Sequence, residues 1–194
     1  MRYQADHKEK TRALILGEAS RAIRRDGAHS VSLASVMKGV GLTHGGFYSH
    51  FSSRDEMLAA AITQTFGDTR DRWAHETLDR SAKDGLVRYI DWYLSKAHRD
   101  HRETGCAIAA IGGELSQLAP DCQRAFSEGC RNVAALLSEH IARLPRDNAD
   151  ELAQSMMSEL VGALVLARIE SNPRRSDTIL ETSLRSIKSQ LGVR

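Results

Sequence analysis

The sequence predicts an all-α protein, on three observations. Alanine, arginine and leucine are the commonest residues of a 194-residue chain that holds only three prolines. No segment alternates apolar and polar residues long enough to build a sheet, whereas apolar residues recur at spacings of three and four. The breaks are few and short, and they divide the chain into about nine helices. A chain of this length buries a sizeable core without staples.

The first helix is expected over residues 7–25, where Leu14, Ile15, Ala19, Ala22 and Ile23 form an apolar stripe and Gly27 supplies a stop. Its other face carries Lys8, Lys10, Arg12 and Arg21. Ser32 reads as the N-cap of a short helix over 33–40 that Gly41 ends, and Thr43 as the cap of a third over 44–51. Val36, Val40, Leu42, Phe47 and Phe51 are placed to lock these two short helices together and onto Leu14, Ile15 and Ile62. Ser53 then caps a long fourth helix reaching residue 78, with Asp55 and Glu56 in the first turn, where the helix dipole favours anions. Further helices are expected over 84–98, 106–118, 120–144, 148–170 and 173–191, with Pro120 in a first-turn position. The expected division is a compact N-terminal unit over 1–52 and a larger helical domain over 53–194.

Composition excludes several classes. The longest uninterrupted apolar stretch, residues 161–167, is far short of the roughly 20 residues a membrane span needs. The polar N-terminus lacks the apolar core of a signal peptide, so a cytoplasmic location without a membrane partner is expected. Three cysteines in such a chain read as free thiols. Cys122 and Cys130 stand about 12 Å apart by helical rise, too far to bridge. His98 and His101 lie in a polar run with Arg99, Asp100 and Arg102, and no ligand set has metal-site spacing. No Ser/His/Asp, paired-carboxylate or phosphate-loop constellation appears, so neither enzymatic activity nor a cofactor is expected. The net charge is +2, but residues 1–66 hold 9 Lys/Arg against 6 Asp/Glu, and four of the eight histidines fall there too.

That basic end carries a pattern. Two short helices joined by a tight Gly-containing turn, behind a longer supporting helix, form a helix-turn-helix, whose second helix offers its N-terminal residues to the DNA major groove. The side chains left outward are those of Thr43, His44, Tyr48, Ser49 and His50, with Gly45 and Gly46 between them. Hydroxyl and imidazole groups suit phosphates and base edges, and two glycines remove bulk that holds a backbone away from the bases. Each glycine costs the helix about 0.8–1 kcal/mol relative to alanine.

Residues 11–16, TRALIL, then SLASVMKGVGLT from Ser32 and FYSHFSSRDEML from Phe47 make the first third of the chain resemble the TetR/AcrR family of transcriptional regulators. The resemblance implies a ligand-responsive homodimeric repressor that binds a pseudo-palindromic double-stranded DNA operator and is released by a small-molecule effector. It implies phosphate contacts from Thr43, Tyr48, His50 and Arg54, with Ser32 as an addition, and a base-facing surface at His44, Gly45, Gly46 and Tyr48. Where the family often has a base-contacting arginine in the second helix, this chain has Ala34.

In the remaining two thirds, residues 148–170 are apolar on nearly all sides, so that helix is expected to be buried on two faces. With the stripe Leu180, Leu184, Ile187 and Leu191 it suggests a four-helix dimer interface holding Met156, Leu160, Ala163, Ala167, Leu180, Leu184 and Ile187. Two reading helices then sit about one DNA turn apart, roughly 34–36 Å. The expected effector pocket draws on Trp92, Tyr93, Ile111, Glu114, Phe126, Met156 and Leu160. Cys106, in a segment resembling the helix-six opening of electrophile-sensing members, offers an alternative: repression relieved at a thiol. A helical enzyme using the same cavity is the remaining alternative.

Overall fold

The computed structural model describes residues 2–145 and 147–193; Arg146, in the break expected at 145–148, lies outside them. Among the described residues there are nine α-helices, three 3-10 segments and no strand: α1 (Arg2–Asp26), α2 (Leu33–Gly39), α3 (Arg54–Thr77), α4 (Ala82–Tyr93), α5 (Lys96–Asp100), α6 (Ala107–Ile111), α7 (Pro120–Ile141), α8 (Ala149–Ile169) and α9 (Pro173–Leu191), with 3-10 turns at His44–Ser49, Arg102–Thr104 and Gly112–Gln117.

Three differences from the sequence expectation have local causes. The third helix is a six-residue 3-10 segment, because two consecutive glycines leave the α form little to hold it. The helix expected at 84–98 ends at Tyr93, and Ser95 starts α5 by accepting the His98 N–H at 3.1 Å. The helix expected at 106–118 tightens into 3-10 form at the pair Gly112-Gly113.

Two apolar cores result. One gathers Ile15, Ile23, Val36, Met37, Phe47, Phe51, Leu58 and Ile62, and it also takes in Ile111, Leu118, Cys122 and Phe126. The division expected at 52/53 is therefore crossed by shared packing. Leu14 is 62% exposed and Leu42 37%, so neither joins the lock that the sequence assigned to them. Leu14 stands one residue, about 100° of helix, away from Ile15 on the buried stripe. The other core lies among α4, α7, α8 and α9, and it buries Leu86, Tyr89, Ile90, Leu137, Met156, Leu164, Leu180 and Ile187.

The long α3 runs through both cores, packing on α1, α4 and α7. It packs closely on α7 at Gly129, where an added Cβ would stand 2.2 Å from the Phe66 ring. Phe66 meets Phe126 edge-on at 5.4 Å, so making room for that Cβ means giving up this contact. Gly129→Ala is expected to destabilise the protein by about 1–3 kcal/mol through overpacking, despite alanine's better helix propensity. An unchanged urea midpoint contradicts this.

By length and composition α8 is apolar enough to span a membrane. It is instead buried along Ala153, Met156, Leu160, Ala163, Leu164 and Ala167 against its own chain.

Candidate nucleic-acid interface and interior cavities

The helix-turn-helix is positioned by hydrogen bonds that its sequence supplies. Ser32 and Ser35 form a reciprocal capping box at the start of α2: Ser35 N–H donates to Ser32 Oγ at 3.1 Å, and Ser32 N–H to Ser35 Oγ at 3.3 Å. Thr43 precedes the 3-10 turn in an extended conformation, and its hydroxyl caps nothing there. Phe47 is fully buried and stacks on Phe51 at 5.5 Å. Arg12 of α1 lies over the other ring of that pair, 4.6 Å from the Phe51 centroid.

The glycines answer a specific question. A Cβ at Gly45 meets no atom within 4 Å, and at Gly46 only Met37 Cε at 3.8 Å and Thr43 Oγ1 at 3.9 Å. Neither glycine has a positive φ. Internal packing and backbone geometry therefore tolerate alanine at both, and the cleared surface faces outward. Tyr48 beside it is 62% exposed, edge-on to Phe47 at 5.3 Å and to His44 at 6.0 Å. Ser49 Oγ is already engaged, donating to Gly46 C=O at 2.7 Å.

His50 is half-buried, with Nδ1 unpartnered inside the protein. Burial and the nearby charges of Lys8, Arg12 and His7 hold its pKa below the usual histidine value. His7, Lys8 and Thr11 share an open cleft of about 350 Å³ with Leu42, Gly46, Ser49 and His50. The sequence reading placed Lys8 and Arg12 on the outer face of α1 without linking them to the recognition turn. The basic run itself was the available signal.

Arg54 departs from the expectation. Its Nε donates to Val31 C=O at 2.9 Å and its Nη2 to Ala28 C=O at 2.7 Å, so it pins the α1–α2 loop instead of standing free for a phosphate. That loop leaves carbonyls without helical partners, and a guanidinium fork one helix away satisfies them.

The expected pocket set does not converge. Ile111 and Phe126 belong to the N-terminal core and Met156 to the C-terminal one. Glu114 also leaves the set. Its carboxylate accepts the His29 backbone N–H at 3.1 Å and sits 2.5 Å from where a Gly27 Cβ would stand, tying the segment after α6 to the α1–α2 loop. Trp92 and Tyr93, by contrast, line a cavity of about 320 Å³ together with Cys106. Leu160 lines a small neighbouring void of about 20 Å³, again with Tyr93 and Cys106.

Cys106 is thus a buried thiol between two cavities. Its amide donates to His98 Nε2 at 2.9 Å, which leaves the His98 proton on Nδ1, facing Tyr93 C=O at 2.7 Å. Burial lowers the His98 pKa to about 4, so the ring is neutral. Arg168 holds the same segment, donating to His98 C=O at 3.0 Å and Arg99 C=O at 3.1 Å. Arg168 Nη2 lies 2.8 Å from where a Gly105 Cβ would stand, so Arg168 is a cation beside the Cys106 segment, where the sequence offered Arg102; burial lowers its pKa. The other two cysteines are also free; burial raises the Cys130 pKa to about 11.

The dimer residues need the same correction. Met156, Leu160, Ala163, Ala167, Leu180 and Ile187 are all buried inside one chain, and Leu184 is half-buried against the same core. An apolar helix does not reveal which face its own chain covers. The face of α8 left open carries Gly162, Leu166 and Ile169, the last two 53% and 71% exposed.

A helix-turn-helix with an exposed reading turn, joined to a larger helical domain, defines a one-component DNA-binding regulator. Residues 15–61 match the family model of bacterial regulatory proteins of the tetR family, and residues 82–181 match the model of the LmrA/YxaF-like transcriptional regulator C-terminal domain. The chain belongs to the TetR family and is a DNA-binding transcriptional regulator. It is similar to the HTH-type transcriptional repressor NemR of Escherichia coli, 22% identical over 187 residues and 92% of each chain. It is 28% identical over 192 residues, 93% of each chain, to an uncharacterized HTH-type transcriptional regulator of Mycobacterium tuberculosis. The crystal structure of reduced E. coli NemR superposes with a TM-score of 0.81 over 93% of this chain and 96% of that one. A transcriptional regulator from Saccharomonospora viridis in complex with choline gives 0.75 at 19% identity, covering 93% and 96%.

Proposed function

We propose that this protein is a homodimeric repressor that occupies a pseudo-palindromic operator in the cytoplasm and leaves it when a small molecule enters the helical domain. One observation carries the reading: a recognition turn whose Gly45-Gly46 surface is empty for no internal reason, flanked by the exposed Thr43, His44 and Tyr48. Thr43, Tyr48 and His50 act as phosphate anchors, joined by Lys8 and Arg12 from α1. Ser32 lies at the edge of the same face. His44, the Tyr48 ring and DNA shape then bear the sequence discrimination.

Release follows from a population shift. The effector binds more tightly to a conformer in which the two recognition turns no longer match successive major grooves, and operator affinity falls by the ratio of its two affinities. The long α3, shared by both cores, transmits the difference.

Tyr48→Phe and His50→Ala are each expected to weaken binding to operator and random duplex alike, by about 1.5–3 kcal/mol per half-site. Log affinity is expected to fall with log salt at about −0.9 per neutralised phosphate. The operator is first selected from a random duplex pool; salt-independent binding overturns the reading.

A second reading is supported by the position of Cys106 on the lining of two cavities, in a segment that Arg168 holds, and by the existence of a defined reduced form of NemR. Here alkylation or oxidation of the thiol replaces reversible ligand binding. Cys106→Ser is then expected to hold operator DNA unchanged after treatment with N-ethylmaleimide, while the parent protein releases it. Equal release from both excludes this route.

A further inference from the structure

The 320 Å³ cavity lies among α1, α3, α4 and residues 104–106, and its lining is rich in arginine. Three arginines, Arg21, Arg24 and Arg72, line it with one carboxylate, Asp68, while Arg21 also reaches Glu18 at 2.8 Å and Arg72 reaches Glu76 at 3.3 Å outside the lining. Arg24 is only 4% exposed, and charged side chains are seldom buried that far unless fully paired. Its pairing is incomplete. Nη2 reaches Ser20 Oγ at 2.9 Å and Asp68 at 2.8 Å, but Nε is buried with no partner.

A second unsatisfied donor belongs to the same lining: the Tyr93 hydroxyl is buried and unpartnered. The lining is also aromatic: Trp92 is tilted against Tyr89 at 5.7 Å and lies edge-on to Tyr93 at 6.0 Å. Arg72 lies 4.9 Å from the Trp92 ring, which lines guanidinium and aromatic surface up together.

We infer that this cavity binds a small aromatic or flat organic anion, a carboxylate or phosphate monoester, with its charged group on Arg24 and Arg72 and its body along Trp92 and Tyr89. Planar guanidinium groups recognise carboxylate and phosphate in two-pronged fashion. An acceptor on the far end of the ligand meets the Tyr93 hydroxyl. The volume sits at the lower end of the range that ligand pockets occupy, which limits the occupant to a small molecule. The inference rests on the effector-release reading and supplies its chemical class.

The site also has a means of acting. Ser20 and Arg24 belong to α1, Asp68 and Arg72 to α3, and Trp92 to α4. An anion accepting from Arg24 competes with Asp68 and loosens the ion pair that ties α1 to α3 here. Helix α1 carries Ile15 and Ile23 into the core beneath the recognition turn.

The full-length protein is titrated with benzoate, phenylacetate and phenyl phosphate, and with benzyl alcohol and benzylamine as neutral and cationic counterparts. Binding is followed by Trp92 fluorescence in a Trp73→Phe background. At least one anion is expected to bind roughly tenfold or more tightly than benzyl alcohol, with affinity falling roughly tenfold in Arg72→Gln. Asp68→Asn is expected to tighten the same anion several-fold, a gain that simple loss of structure does not produce. If no anion outcompetes its neutral counterpart, or if Arg72→Gln binds as the parent does, the site is wrong. Operator affinity is measured on the same samples: anion binding without operator release leaves the site standing and overturns the effector reading. Release by a neutral compound alone does the reverse.

Discussion

Phe47→Ala is expected to destabilise the DNA-binding end by about 3–5 kcal/mol, the cost of emptying a fully buried aromatic site. Phe47 is completely covered, stacks on Phe51, and belongs to the same core as Val36, Met37, Ile15 and Leu58. It also belongs to the segment that presents the reading surface, so repacking around the void moves Thr43 and Tyr48 as well. Because the same core contains Ile111 and Phe126, the loss is expected to lower the stability of the whole chain and not only of its first third. Urea denaturation followed by far-UV ellipticity measures this. A change below 1 kcal/mol contradicts the packing account, as does full operator affinity in the variant.

Leu166→Glu is expected to convert the dimer to monomer and to lower operator affinity by about 10²–10⁴-fold, the advantage that a second linked binding event confers. Leu166 and Ile169 are large apolar side chains exposed on α8 next to Gly162, where nothing lies within 4 Å of an added Cβ. A second copy can approach that glycine closely, and a buried unpaired carboxylate at position 166 opposes it. Since Leu166 is exposed and lies off its own core, the monomer is expected to stay folded, with the parent's far-UV ellipticity. Light scattering at micromolar concentration and duplex titration read the two effects. A Leu166→Glu protein that remains dimeric moves the interface elsewhere.

Much of this fold was legible because helix punctuation is local chemistry. Ser32, Ser53 and Pro120 start helices in the structure where the sequence places them, and Gly27 follows the end of α1. What the sequence hid was partnership across distance. Arg54 is a donor in any reading, but only the fold shows that Ala28 and Val31 present carbonyls to it. Glu114 was assigned to a pocket because it is polar within an apolar helix; its actual partner is a backbone amide 85 residues earlier in the chain. The all-round apolarity of α8 gave two faces without saying which is internal, and the assignment went to the wrong one. Arg24 and Arg72 drew no attention, because an arginine on a long helix is normally solvated.

The α1–α2 loop is grasped from two sides, by Arg54 through its carbonyls and by Glu114 through the His29 amide, with Gly27 in a left-handed conformation at φ 84° giving the carboxylate room. A displaced 112–117 turn either carries the α1–α2 loop with it or breaks the Glu114–His29 hydrogen bond. Beside the shared apolar packing, two structural links thus join the N-terminal helices to the rest of the chain: the length of α3, and a shorter crossing from the segment after α6 through the Glu114 carboxylate.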